Sequence, residues 1–239
     1  MFRKVENSLK NLMIKIFLDW PAWFRGTAVG FCSKAFHIKN LISELHPVCI
    51  ALQETHLKPA DIAKIKRYCL VRKVNENESG RASGGVAHLV AHDTPSSVIT
   101  LHTNLQALAV RVMLSNLVTV CTLYLPSSTS VDERDLDRLV DELPAHFIIV
   151  GDFNGHSPLW GSNNTNSRGR QIEEFINTHS LCLLNNGEDT YEVELSTLRS
   201  SYYARRLFPY FNFRVGVDLH DSDHFPIFLD RSVLTMFNV

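Results

Sequence analysis

The run Phe147-Ile148-Ile149-Val150 is apolar throughout, stops on Gly151, and then presents Asp152-Phe153-Asn154. So short and uninterrupted a run reads as a buried strand. At its C-terminal end, an aspartate and an asparagine spaced i, i+2 point to the same side of a strand. The carboxylate can bind a cation or hold a proton; the amide can grip a water molecule or a phosphate oxygen. Gln53-Glu54-Thr55-His56 follows an earlier apolar run, and Ser222-Asp223-His224 lies near the C-terminus. Together the three stretches read as a site for metal-assisted phosphodiester cleavage.

The chain has 239 residues, enough for one sizeable domain with a full core, and the whole of 1–239 is read as one domain. Hydrophobic residues make up 45% and charged residues 21%, as in ordinary globular proteins. No apolar run approaches membrane-spanning length, and Met1 to Lys15 lacks a signal-peptide pattern, so an intracellular protein with no membrane partner is expected. The five cysteines are scattered and never in C-x-x-C spacing, which implies neither a zinc site nor a disulfide framework. A net charge of −1 does not decide for or against nucleic acid, because phosphate contacts can be local. Lys64, Lys66, Arg67, Arg72 and Lys73 form one basic cluster, Arg168 and Arg170 a second, and Arg199, Arg205 and Arg206 a third. Each alone is as readily a solvated face.

Helices are expected over His37 to Leu45, Val131 to Leu143 and Arg168 to Thr178, with a short one opening at Pro59-Ala60-Asp61. Strands are expected over Val48 to Gln53, from Gly84 to about Ala91, Ala107 to Leu114, Leu117 to Leu125, Phe147 to Val150, Leu181 to Leu184 and Phe225 to Leu229. Ser115-Asn116 fits a tight hairpin turn between two of them. Hairpin-paired strands with helices laid outside suggest an α+β sandwich of two sheets flanked by helices.

Each candidate residue has a plain reading beside the functional one. Glu54 closes an apolar strand: it is either a surface glutamate or a ligand for a hard cation such as Mg²⁺, which often takes one or two carboxylates plus substrate phosphate. His224 alone would be structural; beside Asp152, Asn154 and Glu54 it is a candidate for proton transfer or for polarising a phosphate. Tyr124 in Leu123-Tyr124-Leu125-Pro126 is a strand-end aromatic whose hydroxyl could donate to a phosphoryl oxygen.

These four motifs, taken with Phe225-Pro226-Ile227 after the last, occur in the order of the endonuclease/exonuclease/phosphatase superfamily. More narrowly, the chain resembles the apurinic-endonuclease-like domain of non-LTR (LINE-type) retrotransposons. The continuation Asn154-Gly155-His156-Ser157-Pro158-Leu159-Trp160-Gly161, then Ser167-Arg168-Gly169 and Leu183-Leu184-Asn185, resembles insect and tick elements of that group. The likeness runs from about Ile38 to Leu229. It implies a four-layered α/β/β/α sandwich of two mixed sheets and a Mg²⁺- (or Mn²⁺-) dependent nick in target DNA. It further implies that Glu54 binds the metal and that Asp152 orients or deprotonates the attacking water, with Asn154 fixing that water or the phosphate. Tyr124 and His224 would contact the scissile phosphate, Asp223 would support the metal or His224, and Arg168, Asn154 and Tyr124 would lie against DNA. No obligate protein partner is implied, and the place of action on chromosomal DNA would be the nucleus.

Two segments depart from the family pattern. An asparagine is expected after a tryptophan on the first strand; here the stretch reads Trp20-Pro21-Ala22-Trp23-Phe24-Arg25-Gly26, with no asparagine between Asn11 and Asn40 and a proline where a central strand should run. An aspartate expected to orient the histidine is also missing, since Ser196 to Arg206 contains no acid. Asp189, Asp218 or Asp221 are the nearby substitutes. Frameshifted or mis-spliced copies of Asp19 to Ala35 and Glu194 to Arg206 would account for both departures. The chain stops ten residues after Leu229, so a reverse transcriptase in the parent element would be lost here. Two other readings stay open: an inert relic that at most binds nucleic acid weakly, and a phosphatase or phospholipase of the same fold.

Overall fold

Strand Cys49–Gln53 is buried along its whole length, and its successive side chains enter two different cores. Cys49 and Ala51 join Val110, Val120 and Ile148, whereas Ile50 and Leu52 join Phe31, Ile38 and Leu41 of the helix Phe31–Leu45. Side chains alternate across a strand, so such a strand must lie between two layers. The computed structural model describes residues 12–13, 16–17, 31–75, 80, 82–114, 116–184, 203–204, 211–218 and 224–231.

In chain order the elements are β1 (Leu12–Met13), β2 (Ile16–Phe17), α1 (Phe31–Leu45), β3 (Cys49–Gln53), β4 (Tyr68–Lys73), β5 (Val86–Ala91), β6 (Ser96–Ile99), β7 (Gln106–Met113), β8 (Leu117–Tyr124), α2 (Glu133–Glu142), β9 (Phe147–Asp152), α3 (Ser167–Thr178), β10 (Cys182–Leu183), β11 (Tyr203–Ala204), β12 (Phe211–Val215) and β13 (Ile227–Arg231). One ladder runs β10-β11-β9-β8-β7-β6; facing it are β2-β3-β5-β4 and β1-β13-β12. Met13 pairs with Phe228, and Ile16 pairs with Leu52, so residues 12–13 and 16–17 hold the last two ladders side by side. The β2–β3 and β8–β9 pairs are parallel and the rest antiparallel, so both faces are mixed sheets.

Three apolar cores separate four layers. Val48, Val90, Val118, Val150, Ile227 and Leu229 fill the space between the sheets. Leu123, Ile149 and Phe153 pack under Leu136 and Leu139 of α2 and Ile172 and Phe175 of α3. Ile50, Leu89 and Phe228 pack under α1. The four-layered α+β sandwich expected from the sequence is the observed fold.

Several local expectations are corrected. Pro59-Ala60-Asp61 opens no helix: the Asp61 carboxylate accepts from Lys58 N at 2.8 Å and Asp61 N donates to Lys58 O, closing a turn instead. Arg72 and Lys73 belong to an edge strand, β4, rather than a solvated charge cluster, and Lys73 Nζ donates to Thr103 O and Leu105 O across the sandwich. Helix α1 starts six residues before the expected His37, because Phe31, Ile38 and Leu41 share its buried face and Phe31 N donates to Thr55 O. Of the segments 19–35 and 194–206, residues 31–35 lie in α1, and Tyr203 and Ala204 pair with Ile149 and Ile148. The remaining residues of those segments, Pro21 among them, and Asp189, Asp221 and Ser115 lie outside the described residues.

Candidate active site

The inner faces of the two sheets open at one rim, and the strand register decides which side chains meet there. Tyr124 is the Cα partner of both Gln106 and Asp152, so the three form a row across β7, β8 and β9. Asp152 shares the parity of Ile148 and Val150, which face the other sheet, and is 3% exposed. Gly151 makes this row possible at φ 151°: a Cβ there would lie 1.8 Å from Leu123 O, so no other residue fits between β9 and β8.

Asn154 does not reach Asp152 by strand alternation. The strand ends at Asp152, and Asn154 turns left-handed at φ 48°. Its N–H donates to Asp152 Oδ1 at 2.8 Å, and its Nδ2 donates to Leu125 O at 3.0 Å and Asp152 Oδ2 at 3.3 Å. Both amide protons are thus spent on the protein, which leaves the side-chain oxygen, Asn154 Oδ1, for water, cation or substrate. Asn154 O in turn accepts from Asn166 Nδ2, whose own Oδ1 caps α3 by accepting from Gly169 N at 2.6 Å and also holds His156 N. Gly169 lies against this loop so closely that a Cβ would meet His156 O at 1.8 Å.

Helix α3 therefore arrives with Arg168 beside the row. Arg168 Nη2 donates to Thr129 O at 2.5 Å. Burial holds its guanidinium below the ordinary arginine value, partly offset by the charge of Asp152. A cleft of about 540 Å³ runs from Asn154 along Ser127, Ser128, Thr129, Ser130, Arg168 and Gln171. Its hydroxyls, amides and one guanidinium, set against the single carboxylate of Glu133, suit an anionic backbone.

Glu54 stands on the opposite sheet, immediately after β3, at φ 50° and 9% exposure. His56 Nε2 lies 3.6 Å from Glu54 Oε2. The loop is held from behind, since Thr55 N and His56 N donate to Gly85 O and Gly84 O. Gly85 N donates to Gln106 Oε1 at 2.7 Å, and a Cβ on Gly84 would meet Gln106 Oε1 at 2.5 Å and Tyr124 Cε1 at 3.1 Å. Gln53 Nε2 crosses between the sheets to Thr122 Oγ1 at 2.5 Å, and Gln53 Oε1 is buried with no hydrogen bond among the described residues. Gln106, Thr122 and the pairing of His56 with Glu54 carried no signal along the chain; only Gly84-Gly85 did, as a turn.

His224 is 1% exposed and sits just before β13. Glu54, Tyr124, Asp152, Asn154 and Arg168 thus belong to this rim; Asp223 lies outside the described residues. Among the described residues no group of three or more His, Cys, Asp or Glu is arranged to hold a metal ion. Hard oxygen donors are nevertheless at hand: the Glu54 carboxylate, the Asp152 carboxylate, the Asn154 side-chain oxygen and the unsatisfied Gln53 oxygen. A Mg²⁺ ion, which keeps waters and takes substrate phosphate oxygens, fits such a sparse set.

Two mixed sheets stacked between helices are also the fold of solved endonucleases. The structure superposes on the endonuclease domain of TRAS1, a telomere-specific non-LTR retrotransposon, with TM-score 0.72 and 18% identity over 93% of this chain and 98% of that one. It superposes on the AP endonuclease LMAP from Leishmania major with TM-score 0.66 and 11% identity, covering 93% and 88% of the two chains. Residues 118–228 match the endonuclease-reverse transcriptase family model. Two probable RNA-directed DNA polymerases of Drosophila melanogaster are 25% identical: that of transposon X-element over 62% of this chain and that of transposon BS over 68%. The chain spans 17% and 18% of the length of those two proteins. In fold the chain is thus like the endonuclease domain of a non-LTR retrotransposon, and in sequence it is like part of two transposon-encoded proteins.

Proposed function

We propose that this chain is a divalent-metal-dependent phosphodiesterase that nicks DNA, acting as one domain and, in a living cell, on chromosomal DNA in the nucleus. The observation that carries the reading is the convergence of Glu54 from one sheet with Tyr124, Asp152 and Asn154 from the other at a single rim. When bound, Mg²⁺ or Mn²⁺ held by Glu54 and substrate oxygens would supply Lewis-acid stabilisation of the phosphate.

The chain's own residues do the rest. Asp152, fixed by two donors from Asn154, accepts a proton from the attacking water or aligns it, and Asn154 Oδ1 keeps that water in place. Tyr124 and His224 donate toward the phosphoryl oxygens as charge grows on them. Arg168 and the serine-rich Ser127–Ser130 loop hold the backbone beside the scissile bond.

The inert reading draws on two departures in the sequence: no asparagine lies between Asn11 and Asn40, and no acid lies between Ser196 and Arg206. Nicking of supercoiled plasmid tests both. Mg²⁺-dependent conversion to open circles, lost with EDTA and in Asp152→Asn, is expected. A folded sample that nicks no plasmid, or one that cleaves phospholipid in preference to DNA, would overturn the proposal.

A further inference from the structure

At the end of the sandwich opposite the catalytic rim lies a second cleft, of about 700 Å³. That is within the roughly 300–1,000 Å³ usual for ligand sites. Its place follows from the register: Cys49 pairs with Val90 and Tyr68 with Ala91 at this end, whereas Gln53 pairs with Val86 at the other. The length of β3, about 13 Å at 3.3 Å per residue, separates the two ends.

Five of the eleven residues lining this cleft are basic: Lys39, His46, Lys66, Arg67 and His92. Asp93 is the one acid among the eleven, and its carboxylate already accepts from Thr94 Oγ1. Among the described residues Lys39, Lys66 and Arg67 form no ion pair. The floor is apolar, with Ile65 4% and Tyr68 9% exposed, and Ile42 and Ala91 beside them.

The turns that present Arg67 and His46 are fixed. Arg67 and His46 are both left-handed, at φ 69° and φ 48°. His92 N donates to Arg67 O at 2.9 Å, His46 N to Ile42 O at 3.0 Å, and the Tyr68 hydroxyl to Pro47 O at 2.6 Å. Two non-glycine residues held left-handed in one cleft, both basic, are a local cost that the surrounding hydrogen bonds maintain. Arg67 on a preset turn, with Lys39 and Lys66 beside it over an apolar floor, matches a phosphodiester backbone whose base or sugar lies inward.

We propose that this cleft is a second nucleic-acid-binding site, taking a single strand distinct from any duplex at the catalytic rim. A duplex keeps its bases stacked inside, so only a single strand can place a base on the Ile65–Tyr68 floor while its phosphates meet Lys39, Lys66 and Arg67. The site does not depend on the rim being active.

The test is fluorescence anisotropy of the full chain with a labelled ten-nucleotide single strand in EDTA, across a salt series. K66E/R67E is expected to weaken binding at least tenfold and to lower the log–log salt slope by about 1.4, at roughly 0.7 per phosphate contact on single strands. Arg138→Glu on α2, outside both clefts, should leave that slope near the wild-type value. Unchanged affinity and slope in a folded K66E/R67E protein would overturn the proposal. Amine-reactive labelling of Lys39 and Lys66 in the wild-type chain gives an answer even if the double variant fails to fold. Protection by the oligonucleotide is expected. No protection, or equal protection by polyglutamate at the same charge concentration, would overturn it.

Discussion

Gln53 Nε2 donates to Thr122 Oγ1 at 2.5 Å across the gap between the two sheets, with both side chains wholly buried. Gln53 immediately precedes Glu54, and Thr122 lies two residues before Tyr124 and opposite Val150, two before Asp152. This one bond therefore ties the carboxylate on one sheet to the row of side chains on the other. A buried amide left without its partner is costly, so the pair fixes the spacing more firmly than apolar contact would.

Thr122→Val should destabilise the protein by about 1–3 kcal/mol, the usual cost of orphaning a buried amide. It should also weaken Mn²⁺ binding on the order of tenfold, as loss of an outer-sphere support does. Thr122→Ser, which keeps the hydroxyl, should restore both. Urea unfolding and Mn²⁺ titration followed by electron paramagnetic resonance measure them; equal Mn²⁺ affinity in all three proteins would refute the role.

Asp152→Asn should lower metal-dependent nicking by about 10²–10⁴-fold, the range of a general base. Its effect on unfolding free energy should be small by comparison, because the amide can still accept from Asn154 N. Parallel loss of stability and activity would point to a structural carboxylate.

Stability should fall in mild acid because of His88. Its ring is fully buried, with Nε2 3.1 Å from Leu108 O and Nδ1 3.5 Å from Cys49 Sγ. Burial pulls its pKa down to about 4 from an ordinary 6.5. The folded state thus favours the neutral ring, so the contribution is full above pH 6.5 and is lost as pH drops from 6.5 through 4. At 1.36 kcal/mol per unit the loss is about 3 kcal/mol. Urea midpoints between pH 7 and 4 should show it, and His88→Gln should flatten that part of the curve.

Gly169→Ala should displace α3 from the catalytic loop, since its Cβ would meet His156 O at 1.8 Å. The expected outcome is a loss of about 2–4 kcal/mol, in line with overpacking against backbone. Weaker DNA binding should accompany it, because Asn166 and Arg168 move with the helix. A variant with wild-type melting temperature and DNA affinity would count against this packing.

Much of the site was legible along the chain. Glu54, Tyr124, Asp152 and Asn154 each follow an apolar strand, and the strand ends were readable because burial on both faces leaves runs such as Phe147 to Val150 without polar interruption. The weaker strands were not. Tyr68–Lys73, Ser96–Ile99 and Phe211–Val215 are edge strands with exposed or half-exposed positions, so their composition resembles loops.

What the sequence determined by itself is the course of the buried strands and where they stop, because period and composition are local consequences of the face a side chain must take. The tertiary structure alone decided that Gln53 meets Thr122, that Gly85 meets Gln106, and that Lys39, Lys66 and Arg67 gather at the far end. Those pairs are separated by tens of residues, and their meeting depends on the register and stacking of two sheets. Even Asp152 and Asn154, two residues apart, join through a left-handed turn and not through strand alternation, because the carboxylate accepts the Asn154 N–H and thereby ends the strand.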